Sequence, residues 1–495
     1  MHFSIPDTQE FIDGSGNSFV SYNIHINGLF HCSVRYKQML NLHEQLVKEI
    51  DITLPTFPPK KFFPLTANQQ EDRRLSLEKY IQTIGQNPAI NNSELLNGFL
   101  LNAQQETSAR VMENDEFLVH LMNNQQIKLQ ISTGDSSSKV LEKVCRHLNL
   151  PPEYDSYFSL FIVVENENGD VNILRKLHDF ESPLLTRANI NFTNVQVVLG
   201  KGYWDVNNDS KLMHDPVALN LLYIQAVAEI NRGWIIVPSP LQAHLHDCHE
   251  KNNKNEYLKL VSSFKYYGFI QFAVCYCDFP QPNTKVQVAI GRNELNLRIF
   301  MENNEEHEAI FKVTRMRCWR ITTLQNNFID KNNKEQETND YSLELSFEYL
   351  VAKNQLQWIT ISSDQSILMS VCLQSMIDEL LLKHVNSPKN NQLTGKSWTY
   401  IMRDGHSRIT MGSNPAHSAP GTPTINSDRV QKDKLNQESV GKSDDTVIKK
   451  LSERFSNVKS KKTDCRITTR SKQPGTSDCD IMENNAFHMI GDEDL

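Results

Sequence analysis

Apolar and polar positions alternate along residues 19–26, where Val20, Tyr22, Ile24 and Ile26 mark one period of a half-buried strand. The run ends at Asn27-Gly28, a pair suited to a two-residue hairpin turn, so a second strand is expected to follow. The spacing then changes. Tyr36, Leu40, His43 and Val47 share one helical face with Met39, Leu42 and Leu46 beside them, and Ser33 is a candidate cap for this helix. Pro55, Pro58 and Pro59 impose an extended loop. A second helix starts where Thr66 and Gln69 form a capping box, and it is expected to bury Leu75, Leu77, Tyr80, Ile81 and Ile84. Residues 1–108 therefore read as a small α+β domain.

Strands are expected over 116–122 and 127–131, joined by a polar turn as a hairpin. Ser136 caps a helix carrying Val140, Leu141, Val144 and Leu148, which Pro151-Pro152 stops. Strands over 157–164 and 194–199 complete a β-grasp-like unit, 114–201. Residues 202–268 are helical in character, led by Leu219, Leu222, Ala226 and Ile230. From 269 to 386 the pattern returns to strands, including 311–321, 343–350 and 357–361. A helix over 364–383 closes this unit with Ile367, Val371, Ile377, Leu380 and Leu381. The asparagine-rich stretch 325–340 reads as a surface loop. Beyond 387 periodicity vanishes, and 387–484 is too poor in apolar residues to offset ordering entropy, so disorder is expected there.

Composition narrows the function classes. The 495 residues carry a net charge of −8; from Ser387 onward 17 basic residues face 14 acidic ones, so the preceding body is the acidic part. An acidic body argues against bulk adsorption to nucleic acid, and an anionic ligand would need a local basic cluster. No apolar run reaches the length of a membrane span, and no secretory signal is visible at the start. The nine cysteines form no CxxC pair, which suits reduced thiols in the cytosol. Glycine-rich nucleotide loops, HExxH and GxSxG are absent, so no enzyme or cofactor is expected. His244, His246, Cys248 and His249 resemble a metal cluster, but His246 and Cys248 fall on different helical faces, so the stretch reads as a polar helix surface and no metal is expected.

The informative cluster is basic: Arg35, Lys37, Lys60, Lys61, Arg73 and Arg74, with Tyr36 beside the first. Arg35 begins one helix, Lys60 follows the proline loop and Arg73 lies on the next helix, so three elements could converge on one phosphate. An arginine fork at the positive end of a helix suits a phosphomonoester. The order Arg35-Tyr36, Phe57-Pro58-Pro59-Lys60, Arg73 resembles a phox-homology (PX) domain, and the three units that follow resemble the lobes of a FERM module. Together with Met1-His2-Phe3-Ser4-Ile5-Pro6, the run from Val313 to Arg320 and the final Ile490-Gly491-Asp492-Glu493-Asp494-Leu495, these residues identify the chain as resembling the PX-FERM subfamily of sorting nexins. No PDZ domain is expected ahead of the PX region.

The resemblance implies an α+β multi-domain chain: a PX domain with a three-stranded sheet and helices, then a β-grasp F1 lobe, a helical F2 lobe, a PTB-like F3 lobe and a disordered tail. It implies that Arg35 holds the 3-phosphate of phosphatidylinositol 3-phosphate, that Tyr36 packs on the inositol ring, and that Lys60 and Arg73 engage the remaining groups, with Lys37 at the margin. In F3, an NPxY or NxxY receptor tail would add to the strand around Trp319, its aromatic end meeting Trp319, Ile377 and Leu381. The tail 485–495 resembles one that recruits the retriever recycling complex through residues 490–495. A cytoplasmic monomer, peripheral on early endosomes and without nucleic-acid partners, is the expected result. A FERM scaffold whose β-grasp lobe binds a Ras-type GTPase is the alternative.

Overall fold

The computed structural model describes residues 1–12, 16–61, 65–108, 114–165, 171–190, 192–301, 306–325, 341–352, 355–385, 398–401, 408–411, 481–484 and 486–487. In the N-terminal domain β1 (Phe3–Ser4), β2 (Thr8–Ile12), β3 (Ser18–Ile26) and β4 (Leu29–Arg35) precede α1 (Tyr36–Glu49), α2 (Ala67–Gln86), α3 (Pro88–Asn91) and α4 (Glu94–Thr107). Strand β3 is central, with β4 on one edge. Its other edge is shared: β1 pairs Phe3 with Ile26, and β2 pairs Thr8 with Tyr22, so four strands fill three positions. Asn27 and Gly28 take positive φ of 50° and 81°, the left-handed pair of the expected hairpin turn. Ser33 does not cap α1; it lies in β4 and donates its hydroxyl to Asn23 Oδ1, because pairing with β3 continues to Arg35. Met39, Leu42 and Leu46 form the buried face of α1, while Val47 and, on α2, Leu75 face solvent. The Thr66–Gln69 capping box of α2 forms as expected.

The second unit contains β5 (Asn114–His120), β6 (Gln126–Ser132), α5 (Ser137–Leu148), β7 (Phe158–Glu165), β8 (Val171–Lys176), α6 (Pro183–Ala188) and β9 (Val195–Lys201). The strand order is β6-β5-β9-β7-β8, with β5 and β9 parallel and the other pairs antiparallel, as a β-grasp sheet requires. Helices α7 (Asp209–Leu212), α8 (Pro216–Asn231), α9 (Gln242–Glu250) and α10 (Lys254–Val261) share one hydrophobic core with that sheet.

The last lobe is built from β10 (Phe269–Cys277), β11 (Thr284–Gly291), β12 (Glu294–Phe300), β13 (Glu306–Lys312), β14 (Met316–Gln325), β15 (Tyr341–Ala352), β16 (Gln355–Ser362) and α11 (Ser366–Val385). The single strand expected over 311–321 is two. Val313 donates its N–H to Asn293 O, and a short 3-10 turn at Val313–Arg315 redirects the chain before β14 begins. The loop expected after Gln325 lies outside the described residues. Helix α11 covers the core with Met369, Leu373, Met376 and Ile377.

The stretch expected to be disordered contains two short paired strands, β17 (Trp398–Ile401) and β18 (Arg408–Met411), and a third, β19 (Ile481–Glu483). Aromatic and β-branched residues at 398–401 explain a local strand preference against the polar average. Strand β19 joins the large sheet beside β14, giving the order β13-β12-β11-β10-β16-β15-β14-β19. The rest of 387–484 lies outside the described residues, as do the tail residues Ile490, Gly491, Asp492, Glu493, Asp494 and Leu495.

A buried polar network joins the N-terminal domain to the β-grasp lobe. Gln104 on α4 donates to Thr186 Oγ1 at 2.9 Å and accepts from the Ser182 N–H at 2.8 Å. Thr186 in turn donates to Glu181, which Arg175 grips with two bonds of 2.5 and 2.6 Å; both side chains of this pair are 1% exposed. His31, whose Nε2 meets Leu100 O at 3.1 Å, packs edge-on against Phe180. Burial pushes His31 down to about 4, outweighing the pull of Glu181. A histidine ordinarily titrates near 6.5, so the folded state resists a proton that the unfolded chain accepts. Its stabilising contribution is complete above about pH 6.5 and declines as pH falls toward 4, by about 1.4 kcal/mol per pH unit in that window. Urea midpoints should therefore drop between pH 7 and 5, and the His31→Asn variant should show a shallower drop.

Candidate functional site

The first candidate site lies where β4 runs into α1. Arg35 is the N-cap of α1 with extended backbone, and its N–H donates to Gln38 Oε1 at 2.7 Å, one half of a capping box. The remaining amides of the first turn and the positive end of the helix dipole face the same end. The exposed guanidinium sits 3.1 Å above the centre of the Phe19 ring, which holds it against the sheet edge. Tyr36 donates its hydroxyl to Pro58 O at 2.7 Å and so ties the proline loop to the helix start. Phe57 in that loop packs against Tyr36, His43 and Tyr80, fixing the loop between α1 and α2.

Arg73 on α2 lies 4.5 Å over the Tyr36 ring, and its Nη2 is buried without a hydrogen-bond partner. Burial raises the Tyr22 phenol, and the neighbouring Arg73 partly offsets this by favouring the phenolate. Tyr36 and Arg73 are thus brought together beside a fixed loop, with Arg35 next to Tyr36 at the helix start and its guanidinium over Phe19. Lys60 is exposed two residues beyond the clamped Pro58, and Lys37 and Lys61 are exposed nearby in sequence. Arg74 leaves the cluster: it pairs with Glu71 and Glu78 and donates to Ile5 O, a structural task. Tyr36 has a structural part beside the one the resemblance implies. With its hydroxyl committed to Pro58 and Arg73 over its ring, it positions the loop and the arginine. Phe19, Tyr22 and Gln38 went unnoticed in the sequence, although the strand alternation around Ser21, which pairs with Arg35, places Phe19 on the neighbouring strand.

The second candidate site is the outer edge of β14. Strand β19 pairs there antiparallel, with Trp319 opposite Met482 and Cys318 opposite Glu483. Beyond the strand, Asn484 donates its amide to Val313 O at 2.8 Å and Met316 O at 2.6 Å, two carbonyls that the 3-10 turn leaves side by side. Asn484 Oδ1 accepts the Ala486 N–H, and Asn484 O accepts the Phe487 N–H at 3.0 Å, so the segment turns immediately after the asparagine. Asn484, Ala486 and Phe487 are 3%, 0% and 4% exposed. An asparagine-x-x-aromatic segment is thereby seated at the end of an added strand.

Trp319 does not line an open groove. It is fully buried, its indole N–H donates to Ser370 Oγ at 2.9 Å, and it belongs to the lobe core with Ile377; Leu381 packs at the margin of that core. Ser370 Oγ lies 3.2 Å from Met482 Sδ, so the tryptophan supports the groove floor through the serine while its backbone supplies the strand edge. Phe487 is buried at the end of this segment, and the sequence gives no sign of it because Asn484 meets its partner, Met316, 168 residues earlier in the chain.

A PX-type basic pocket followed by the three lobes of a FERM module and a strand-accepting edge defines a PX-FERM protein. Family models match residues 22–103 as PX domain, 115–204 as the F1 lobe of sorting nexins 17/27/31, 205–265 as the F2 lobe of sorting nexins 17/31 and 268–381 as the sorting nexin 17 FERM C-terminal domain. The chain is 40% identical to sorting nexin-17 of Danio rerio over 498 residues and 39% identical to that of Homo sapiens over 500, each spanning both chains fully. Human sorting nexin-31 is 32% identical, across 77% of this chain and 86% of that one. Among solved structures, a designed CISK-PX domain is 34% identical over 20% of this chain with a TM-score of 0.18, and the FERM domain complex of Drosophila Merlin is 13% identical over 55% with 0.35. The chain belongs to the sorting nexin 17 family of PX-FERM endosomal sorting adaptors. Among the described residues no helix is long and apolar enough to cross a membrane.

Proposed function

We propose that the protein couples phosphatidylinositol 3-phosphate on early endosomes to receptor tails bearing NPxY or NxxY, and passes them to recycling through retriever by its C-terminal residues 490–495. The observation that carries the reading is the seated Asn484-x-x-Phe487 segment: its asparagine clasp and buried aromatic are the features an NxxY peptide also presents. On the lipid side, Arg35 at a helix start over the Phe19 ring and the orphaned Arg73 Nη2 beside the Tyr36 ring favour a compact, multiply charged headgroup. Lys60 adds an exposed charge, and Lys37, also exposed, lies on the first turn of α1 close to Arg35. Two modest contacts on one chain combine through effective concentration, so membrane and cargo reinforce each other.

Because residues 481–484 occupy the β14 edge, a receptor tail has to displace them, and its apparent affinity falls by the fraction of chains in which the edge is covered. Phe487→Ala in the full chain should therefore tighten binding of an NxxY peptide in calorimetry. Arg35→Ala should leave that peptide affinity intact and weaken flotation on vesicles containing phosphatidylinositol 3-phosphate by roughly tenfold to a hundredfold, the loss of a charge-assisted contact. Undiminished flotation would remove the lipid assignment, and absence of NxxY binding in both proteins would remove the cargo assignment.

A further inference from the structure

We propose that the hairpin of α9 and α10 holds a zinc ion through His244, Cys248 and Glu256. His244 and Cys248 are four residues apart on α9, so they stack on one face, and Glu256 reaches them from α10. His244 Nε2 lies 4.0 Å from Cys248 Sγ and 3.3 Å from Glu256 Oε1, and the three donor atoms all fall within 4.8 Å of one another. Zinc–ligand bonds of about 2.0 to 2.3 Å in a tetrahedral arrangement separate adjacent donors by roughly 3.4 to 3.6 Å. The nitrogen and carboxylate oxygen already stand at that separation, and the sulfur, 4.0 Å from the nitrogen and within 4.8 Å of the oxygen, must draw in toward both.

The donor set fits the ion as well. An imidazole, a thiol and a carboxylate satisfy zinc, whereas magnesium and calcium take oxygen ligands throughout. Around the ligands the hairpin is braced. Cys248 is 2% exposed, and its carbonyl accepts the Asn253 N–H that closes the turn between the helices. Asn253 caps α10 and donates its side-chain amide to Glu256 Oε2 at 2.6 Å, which turns the other carboxylate oxygen toward His244. Neighbouring groups are otherwise engaged: His249 Nδ1 meets the Tyr223 hydroxyl at 2.6 Å, Asp247 pairs with Lys251, and His246 points to solvent. With three protein donors and half-exposed His244 and Glu256, the fourth position opens to solvent and takes water. The metal-like run in the sequence is thus resolved by a pair, His244 and Cys248, other than His246 and Cys248, and by an acid from the next helix. Bound zinc would pin α9 to α10 within the F2 lobe.

The full chain, stripped with chelator and kept reduced, is titrated with Co2+ as a spectroscopic stand-in and with Zn2+ against a chromophoric chelator. One equivalent of Co2+ should produce tetrahedral d–d absorption together with a thiolate charge-transfer band. Cys248→Ser should lose the band, His244→Ala and Glu256→Gln should each weaken Zn2+ at least about tenfold, and His246→Ala should change nothing. Zinc should also raise the melting temperature of the parent chain and leave that of His244→Ala unmoved. A wild-type spectrum lacking the thiolate band, a band that survives Cys248→Ser, or unchanged zinc affinity in both His244→Ala and Glu256→Gln overturns the assignment. The two exposed positions keep the test decisive if the buried serine variant fails to fold.

Discussion

Replacing Arg175 with methionine should destabilise the β-grasp lobe by about 3–5 kcal/mol, because it leaves the Glu181 carboxylate buried without its cation. Glu181 is fully buried, and although burial raises its carboxyl, the Arg175 guanidinium pulls it down to about 2, so it stays ionised across the accessible pH range. The two remaining donors, the His178 N–H and the Thr186 hydroxyl, do not balance a full charge. Removing both partners in Arg175→Met/Glu181→Leu should recover much of the loss, since a buried pair and an apolar pair of similar volume are close in free energy. It should not recover all of it, because those two donors are then orphaned. Through Thr186 and Gln104 the single variant should also loosen α4, so hydrogen exchange in 94–107 should rise along with that of the β-grasp lobe. A cost below about 1 kcal/mol, or exchange confined to the β-grasp lobe, would contradict this account.

Trp319→Ala should cost the last lobe about 3–5 kcal/mol, because a fully buried indole leaves a cavity that β14 and α11 cannot close without moving. Loss of NxxY binding in that variant would therefore reflect damage to the lobe as much as loss of a contact. Trp319→Phe separates the two. It retains most of the volume and forfeits the bond to Ser370, which is worth about 1 kcal/mol. If the indole supports the groove only from below, peptide affinity in Trp319→Phe should stay near that of the parent, while thermal unfolding monitored in the last lobe shifts down. A strong affinity loss with unaltered unfolding would instead mean that the indole touches the peptide.

Much of the architecture follows from local chemistry. The Asn27-Gly28 turn, the Thr66 and Ser136 caps, the alternation along β3 and the apolar run of β7 depend on neighbours within a few residues, so linear spacing carries them. Ser33 is in a cap-like position by local pattern, but a competing long-range demand, the ladder with β3, extends β4 to Arg35. Period alone points Leu75 inward, yet it faces solvent, because the position of the opposing elements decides which part of an apolar face is covered.

The basic pocket divides in the same way. A guanidinium at a helix start is visible in the order of residues, whereas the shelf under it, Phe19 beneath Arg35 and Tyr36 beneath Arg73, requires β3, α1 and α2 in place. The same holds for His244, Cys248 and Glu256, which share a corner only because a short turn folds α10 back on α9.

Residue order alone settles the lobes, their sequence along the chain and the chemistry available to them, because helix and strand periods, caps and turns are short-range matters. Tertiary structure decides which polar groups meet in the interior, whether Trp319 is reachable, and that residues 481–484 lie at the edge of β14. Those outcomes depend on contacts between residues 51, 82 and 168 positions apart, where a strand edge and a buried aromatic gain their free energy from surfaces that no local spacing encodes.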